Sequence, residues 1–361
     1  VFFVGCMIKI LVVGPSWVGD MVMAQSLFKA LKAKYVAQDV DIDVLAPLWT
    51  HPLLASMPEV RTAIPMPLGH GVFGIKKRYQ LGKSLRTEGY THAYVLPNSW
   101  KSALIPWFAK IPKRIGWRGE ARWGLLNDCR KLLTDRFPYM VQRFVGLAEE
   151  KSGCSNGIPL ENIPCPSMEV NSVSAQQTLQ KFLPQATVEP KPLLALCPGA
   201  EFGPSKQWPA AYYATIAKQY IRSGWRVCIL GSANDVPIAT EIAENVNHAT
   251  EGQQHCLLLA GRTQLQEAIE LLSFSTAVVS NDSGLMHIAA ALGKPLVAVY
   301  GSTDPSFTPP LSKTAKIVES SADCHPCFKR VCPLKHHQCM QSIYPNQVAD
   351  ALQYILAEVN I

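Results

Sequence analysis

An acid, Asp20, stands near the start of a helical stretch in "GPSWVGDM" (Gly14 to Met21), directly after the apolar run "IKILVV". The stretch has neither the G-x-G-x-x-G spacing of a dinucleotide loop nor the Lys-Ser/Thr of a P-loop. Asp20 therefore reads either as an acid that favours the dipole at a helix start or as a base that takes a proton from an attacking hydroxyl. Two later stretches suit an anionic ligand. "PGAEFGPSKQWP" has Gly199 and Gly203 to free the backbone, Lys206 as a point charge for phosphate and Glu201 for a sugar hydroxyl. The plainer reading is a surface loop with a solvated lysine. In "NDSGLMH", Asn281, Asp282 and Ser283 precede a helix starting near Leu285, and Gly284 permits close backbone approach. A diphosphate could rest on that helix start and meet His287 one turn in, although Asp282 or Ser283 could equally serve as an N-cap and His287 as a packed side chain.

Such residues need a scaffold that brings them to one place. In the first half, "IKILVVG", "DIDVLA" and "HAYVLP" read as buried parallel strands, and Asp20 to Tyr35 has a helical period. The second half repeats strand and helix more regularly, from "PLLALCPG" to "PLVAVYGS". The expected fold is α/β, with two Rossmann-like, doubly wound parallel-sheet domains facing each other across a cleft. The domains are expected at 7–170 and 190–345, with a final helix over 346–361 packing back on the N-terminal domain. Residues 152–191, rich in Pro, Gly and Asn, should run extended between them. The polar segments all follow strands, where ligands of open parallel sheets bind.

The 361 residues, 48% hydrophobic and 17% charged, have no apolar run long enough for a spanning helix. A net charge of +7 and a pI of 8.8 favour anionic partners, yet no zinc-finger, RNP or P-loop pattern accompanies the basic residues, so nucleic acid is not expected. "VFFVGC" is too short for a secretory leader, which makes Met7 the expected start and the cytoplasm the expected compartment. Of eleven cysteines, Cys324, Cys327, Cys332 and Cys339 cluster as C-x2-C-x4-C-x6-C, which suggests buried thiols, a redox-labile pair, or a structural zinc or iron-sulfur site.

"MIKILVVGPSWVGDMVMAQSLFKALK", "YVLPNSWKSALIPWFAKIPKRIGWRGEARWGLLND", "CPGAEFGPSKQWP" and "NDSGLMHIAAALGKPLVAVYGSTDPSFTPPL" together resemble the ADP-heptose heptosyltransferases of glycosyltransferase family 9, from Met7 almost to the end. The resemblance implies a GT-B fold and an inverting transfer of L-glycero-D-manno-heptose from ADP-heptose to the first heptose of Kdo2-lipid A. It puts the catalytic base at Asp20, a donor-binding lysine at Lys206, and the family's donor motif at Asp282, Ser283, Gly284, Leu285 and His287. Glu201 joins the donor set, and Ser16, Trp17, Asn98, Lys101, Arg118 and Arg122, with Arg114, are candidates for the acidic acceptor. A monomer is expected, peripheral at the inner face of the inner membrane and needing no cofactor. Other readings are a family member with a different acceptor, a sugar-nucleotide epimerase, and a binding module without turnover.

Overall fold

The computed structural model describes residues 7–69, 71–151, 156–247 and 256–359, so the opening Val1 to Cys6 stretch and positions 152–155 of the expected linker lie outside the described residues. The chain divides into two compact units, Val1–Pro166 and Ser167–Ile361.

In the first unit β1 (Ile8–Val13), β2 (Val40–Ala46), β3 (Thr62–Pro65), β4 (His92–Val95), β5 (Lys113–Trp117) and β6 (Asp128–Arg130) form one sheet in the order β3-β2-β1-β4-β5-β6. Every pairing is parallel. Helices α1 (Val18–Lys34), α2 (His51–Ala55), α3 (Ile75–Ser84), α4 (Leu104–Phe108) and α5 (Met140–Val145) accompany it. Ile10, Leu11 and Val12 are fully buried, as a strand covered on both faces requires. Helix α1 buries every residue from Met21 to Phe28 and packs on α5, so it is an embedded helix rather than a two-faced one.

The second unit holds β7 (Leu193–Cys197), β8 (Arg226–Ile229), β9 (Cys256–Leu258), β10 (Ala277–Asn281), β11 (Leu296–Tyr300) and β12 (Ala315–Glu319), ordered β12-β11-β10-β7-β8-β9 and all parallel. Its helices are α6 (Ser172–Phe182), α7 (Pro184–Val188), α8 (Ala210–Arg222), α9 (Val236–Asn247), α10 (Leu265–Phe274), α11 (Gly284–Ala291), α12 (Gln338–Gln341) and α13 (Pro345–Glu358). Numbered within its own unit, each sheet has the Rossmann order 3-2-1-4-5-6. The order reverses between β1 and β4 in one unit and between β7 and β10 in the other. Val13 there lies beside Val95, and Cys197 beside Ser280.

Two expectations are corrected. Much of the linker is helical and belongs to the second unit. Asn171 caps α6 by accepting from the Val173 and Ser174 N–H groups at 3.0 Å, and Ala175, Thr178 and Leu179 are buried. Ser174 and Thr178 also donate to the buried Glu270 of α10. Burial would raise that carboxyl, but bonds from Gln266, Ser174 and Thr178 hold it below its ordinary value. The last helix belongs to the second unit: α13 packs on β11, β12 and α8, with Val348, Leu352 and Ile355 in the core of that unit.

Candidate active site

Each switch point carries the polar loops singled out in the sequence. In the second unit the loop after β7 carries Glu201 to Lys206, and the loop after β10 leads through Asp282 and Ser283 into α11. Asn281, fully buried, ties the two together: its amide donates to the Pro198 carbonyl at 2.6 Å, and its Oδ1 accepts from the Tyr213 hydroxyl at 2.9 Å. The Trp208 N–H also donates to that oxygen, at 3.3 Å.

Lys206 Nζ then meets Asp282 Oδ2 at 2.5 Å, with side chains only 14% and 5% exposed. The Thr303 hydroxyl, from the loop after β11, donates to the same oxygen at 2.6 Å. Lys206 is therefore not a solvated surface lysine. Nor does Asp282 cap α11, since Lys206 and Thr303 engage its carboxylate. Ser283 occupies the N-cap position, but no side-chain bond closes the first turn, so the helix end keeps its donors for a ligand. Gly284 is the first residue of α11 and Leu285 the second. His287 is buried in the same helix, and burial lowers its imidazole to about 4; Asp282 opposes the shift and Lys206 adds to it. His287 is thus neutral at pH 7.

The turn that aims Lys206 is held from the other end of the unit. Gly203 has φ 155°, and a Cβ there would run into the Arg330 carbonyl. The Ser205 N–H donates to that carbonyl at 3.2 Å and its hydroxyl to the Lys329 carbonyl; the Ser302 hydroxyl donates to Ser205 Oγ at 3.1 Å. Lys206 and Arg330 both approach the Phe202 ring, at 5.0 and 5.4 Å from its centroid. Glu201, exposed on the same loop, accepts from Asn234 at 3.4 Å.

The cysteine-rich tail supplies this support. Cys324 and Cys327 are half-buried, Cys332 and Cys339 buried, and all four thiols are free. Burial pushes the Cys339 thiol up, and Cys324, Cys327 and Cys332 act in the same direction. Among the described residues no three His, Cys, Asp or Glu come together as a group able to hold a metal ion. His325 lies between the Gly301 carbonyl and Glu319, and His336 accepts from the Gln338 N–H at 3.0 Å. What the tail does for the site is to brace the Lys206 turn through residues 328–330.

In the first unit α1 starts after Trp17, again with no side-chain cap, and Asp20 lies half-buried in its first turn. Trp17 is exposed, and the half-buried Ser16 accepts from Trp49 Nε1 at 3.4 Å through its carbonyl. The neighbouring loop after β4 carries the exposed Asn98 and half-buried Lys101. Arg122 is not an acceptor contact. It is 1% exposed and donates to the Trp117 carbonyl, to the Pro97 carbonyl at 2.6 Å and to Asn98 Oδ1 at 3.1 Å. Burying a guanidinium is tolerable because acceptors meet its donors, and the result is a fixed loop after β4. Arg114 likewise donates to the Leu125 and Ile111 carbonyls, both at 2.6 Å. Arg118 stays exposed, with its guanidinium 5.5 Å from the Trp123 ring centroid.

Paired Rossmann-type units, one with a buried lysine-acid pair beside an open helix end, define a GT-B glycosyltransferase. The chain belongs to glycosyltransferase family 9 (heptosyltransferase), whose sequence profile matches residues 78–338. It is 48% identical to lipopolysaccharide heptosyltransferase 2 of Salmonella typhimurium over 355 residues, 98% of this chain and all of that one. Lipooligosaccharide heptosyltransferase 2 of Haemophilus influenzae is also 48% identical, over 354 residues, 97% of this chain and all of the relative. The solved structure of the Escherichia coli ADP-heptose lipopolysaccharide heptosyltransferase II matches with a TM-score of 0.85 and 44% identity, over 98% of this chain and all of that one.

Proposed function

We propose that this enzyme transfers L-glycero-D-manno-heptose from ADP-heptose to the first heptose of the lipopolysaccharide inner core. The observation that carries the reading is full-length similarity to relatives named heptosyltransferase 2. The Lys206–Asp282 pair at the start of α11 supports it at the level of chemistry. The donor diphosphate binds the α11 N-terminus with Lys206 beside it, and a neutral His287 adds a hydrogen bond without another charge. The acceptor hydroxyl attacks the anomeric carbon, its proton passes to the Asp20 carboxylate, and the bond to the diphosphate breaks with its electron pair leaving on ADP. The configuration inverts in this single displacement. No metal or organic cofactor enters the step.

The enzyme acts as a monomer, peripheral at the inner face of the inner membrane, where the lipid-linked acceptor lies. Incubation with ADP-heptose and either Kdo2-lipid A or its mono-heptosylated form, followed by product mass, tests this. Product from the heptosylated acceptor alone is expected. Product from the bare acceptor would assign a different acceptor, and ADP release without product would overturn transfer altogether.

A further inference from the structure

The first unit exposes large apolar side chains around one corner. Ile75 and Tyr79, four residues apart on α3, share a face, and the preceding Val72 and Phe73 are also exposed. Phe73 lies 5.1 Å from the Trp100 ring, while Tyr79 and the exposed Trp107 both lie against Phe108, at 5.3 and 5.0 Å. Helices α3 and α4 pack together, so these aromatic pairs belong to one surface. The surface is rigid: buried Arg78 donates to the Phe73, Val72 and Lys101 carbonyls at 2.7, 3.2 and 3.2 Å. Leaving this much apolar area exposed calls for a partner.

Charge identifies the partner. Between Val72 and Lys110 the chain carries seven Lys or Arg and a single acid, Glu88. Lys76, Lys77, Lys83, Arg86 and Lys110 are all exposed. Tryptophan and tyrosine favour the boundary between water and lipid, and lysines beside them favour an anionic leaflet. Among the described residues no helix is long and apolar enough to cross a membrane. We propose that the α3–α4 corner docks on an anionic phospholipid bilayer, with its aromatic side chains at the headgroup level and its lysines against lipid phosphates. The proposal deepens the reading of a lipid-linked acceptor, and rests on it for the purpose of docking.

Flotation of the full chain with vesicles free of any acceptor glycolipid tests it, using phosphatidylglycerol mixed with phosphatidylethanolamine against phosphatidylcholine alone. Binding to the anionic vesicles only is expected, weakened in high salt. Each lysine near the leaflet is worth about five-fold in partitioning, so Lys76→Glu/Lys77→Glu/Lys83→Glu should weaken binding by more than about a hundred-fold. Ile75→Ser/Trp107→Ser should weaken it as well. Both variants should keep wild-type melting and wild-type heptosyl transfer to a deacylated, soluble acceptor, which separates failure of docking from failure of the transfer reading. Equal binding to both vesicle types, no binding to either, or wild-type binding by the charge-reversed variant would overturn the proposal. So would a concentration-dependent dimer abolished by Ile75→Ser/Trp107→Ser, which would make the corner a contact between two copies.

Discussion

Lys206 Nζ and Asp282 Oδ2 lie 2.5 Å apart although the residues are 76 positions apart in sequence, joined through the adjacent ends of β7 and β10. Removing one partner leaves a mostly buried charge unpaired. Asp282→Asn should therefore cost about 3 kcal/mol of stability, and Lys206→Met/Asp282→Asn should recover a good part of it. Urea unfolding of both singles and the double checks this, and simple additivity would show that the pair is not coupled. Donor affinity should fall in all three.

His287 predicts a pH dependence. Its folded value of about 4 lies below the ordinary imidazole value of about 6.5, so the unfolded chain binds the extra proton first. Stability is fully present above pH 6.5 and is lost as pH falls toward 4, by about 3 kcal/mol at most from this group. Denaturation at pH 7.5 and 5 should show a larger loss for wild type than for His287→Gln. Equal losses would mean that the imidazole does not resist protonation.

Two arginines only four residues apart should behave oppositely. Arg122→Ala abandons the Trp117 and Pro97 carbonyls and Asn98, and should cost about 2 to 4 kcal/mol. Arg118→Ala, on the surface, should stay within about 0.5 kcal/mol of wild type. Thermal melts decide this; a mild Arg122→Ala would contradict its role as the brace of the loop after β4.

Gly203→Ala drives a methyl toward the Arg330 carbonyl and displaces the turn that aims Lys206. ADP affinity should drop by about ten-fold or more, corresponding to about 1.4 kcal/mol, and the melting temperature should fall as well because the methyl meets backbone rather than a movable side chain. Unchanged ADP affinity in calorimetry would show that the bracing by residues 328–330 does not govern Lys206.

Much of this was legible in sequence for a physical reason. Strands such as "AVVSN" are buried on both faces and leave an unbroken apolar run, and the polar residues directly after them mark the ligand end of a parallel sheet. Edge strands leave no such mark: "TAIP" and "AKIVE" are partly exposed and carry no unbroken apolar run. Helix α6 was hidden by the prolines around it, and its anchor Glu270 lies in a different part of the chain. Arg122 looked like a surface cation because spacing does not show which carbonyls surround a guanidinium. Thr303, in the loop after β11, lay in a segment already notable for its composition, but its bond to Asp282 exists only once β10 and β11 are paired.

The central claim is that the second unit binds the donor while Asp20 takes the acceptor's proton. Asp20→Asn tests it directly through donor affinity by calorimetry and turnover with ADP-heptose and the heptosylated acceptor. The account predicts a donor Kd within about two-fold of wild type and a turnover lower by about a hundred-fold to ten-thousand-fold. Turnover within about ten-fold of wild type at unchanged affinity would contradict Asp20 as the base.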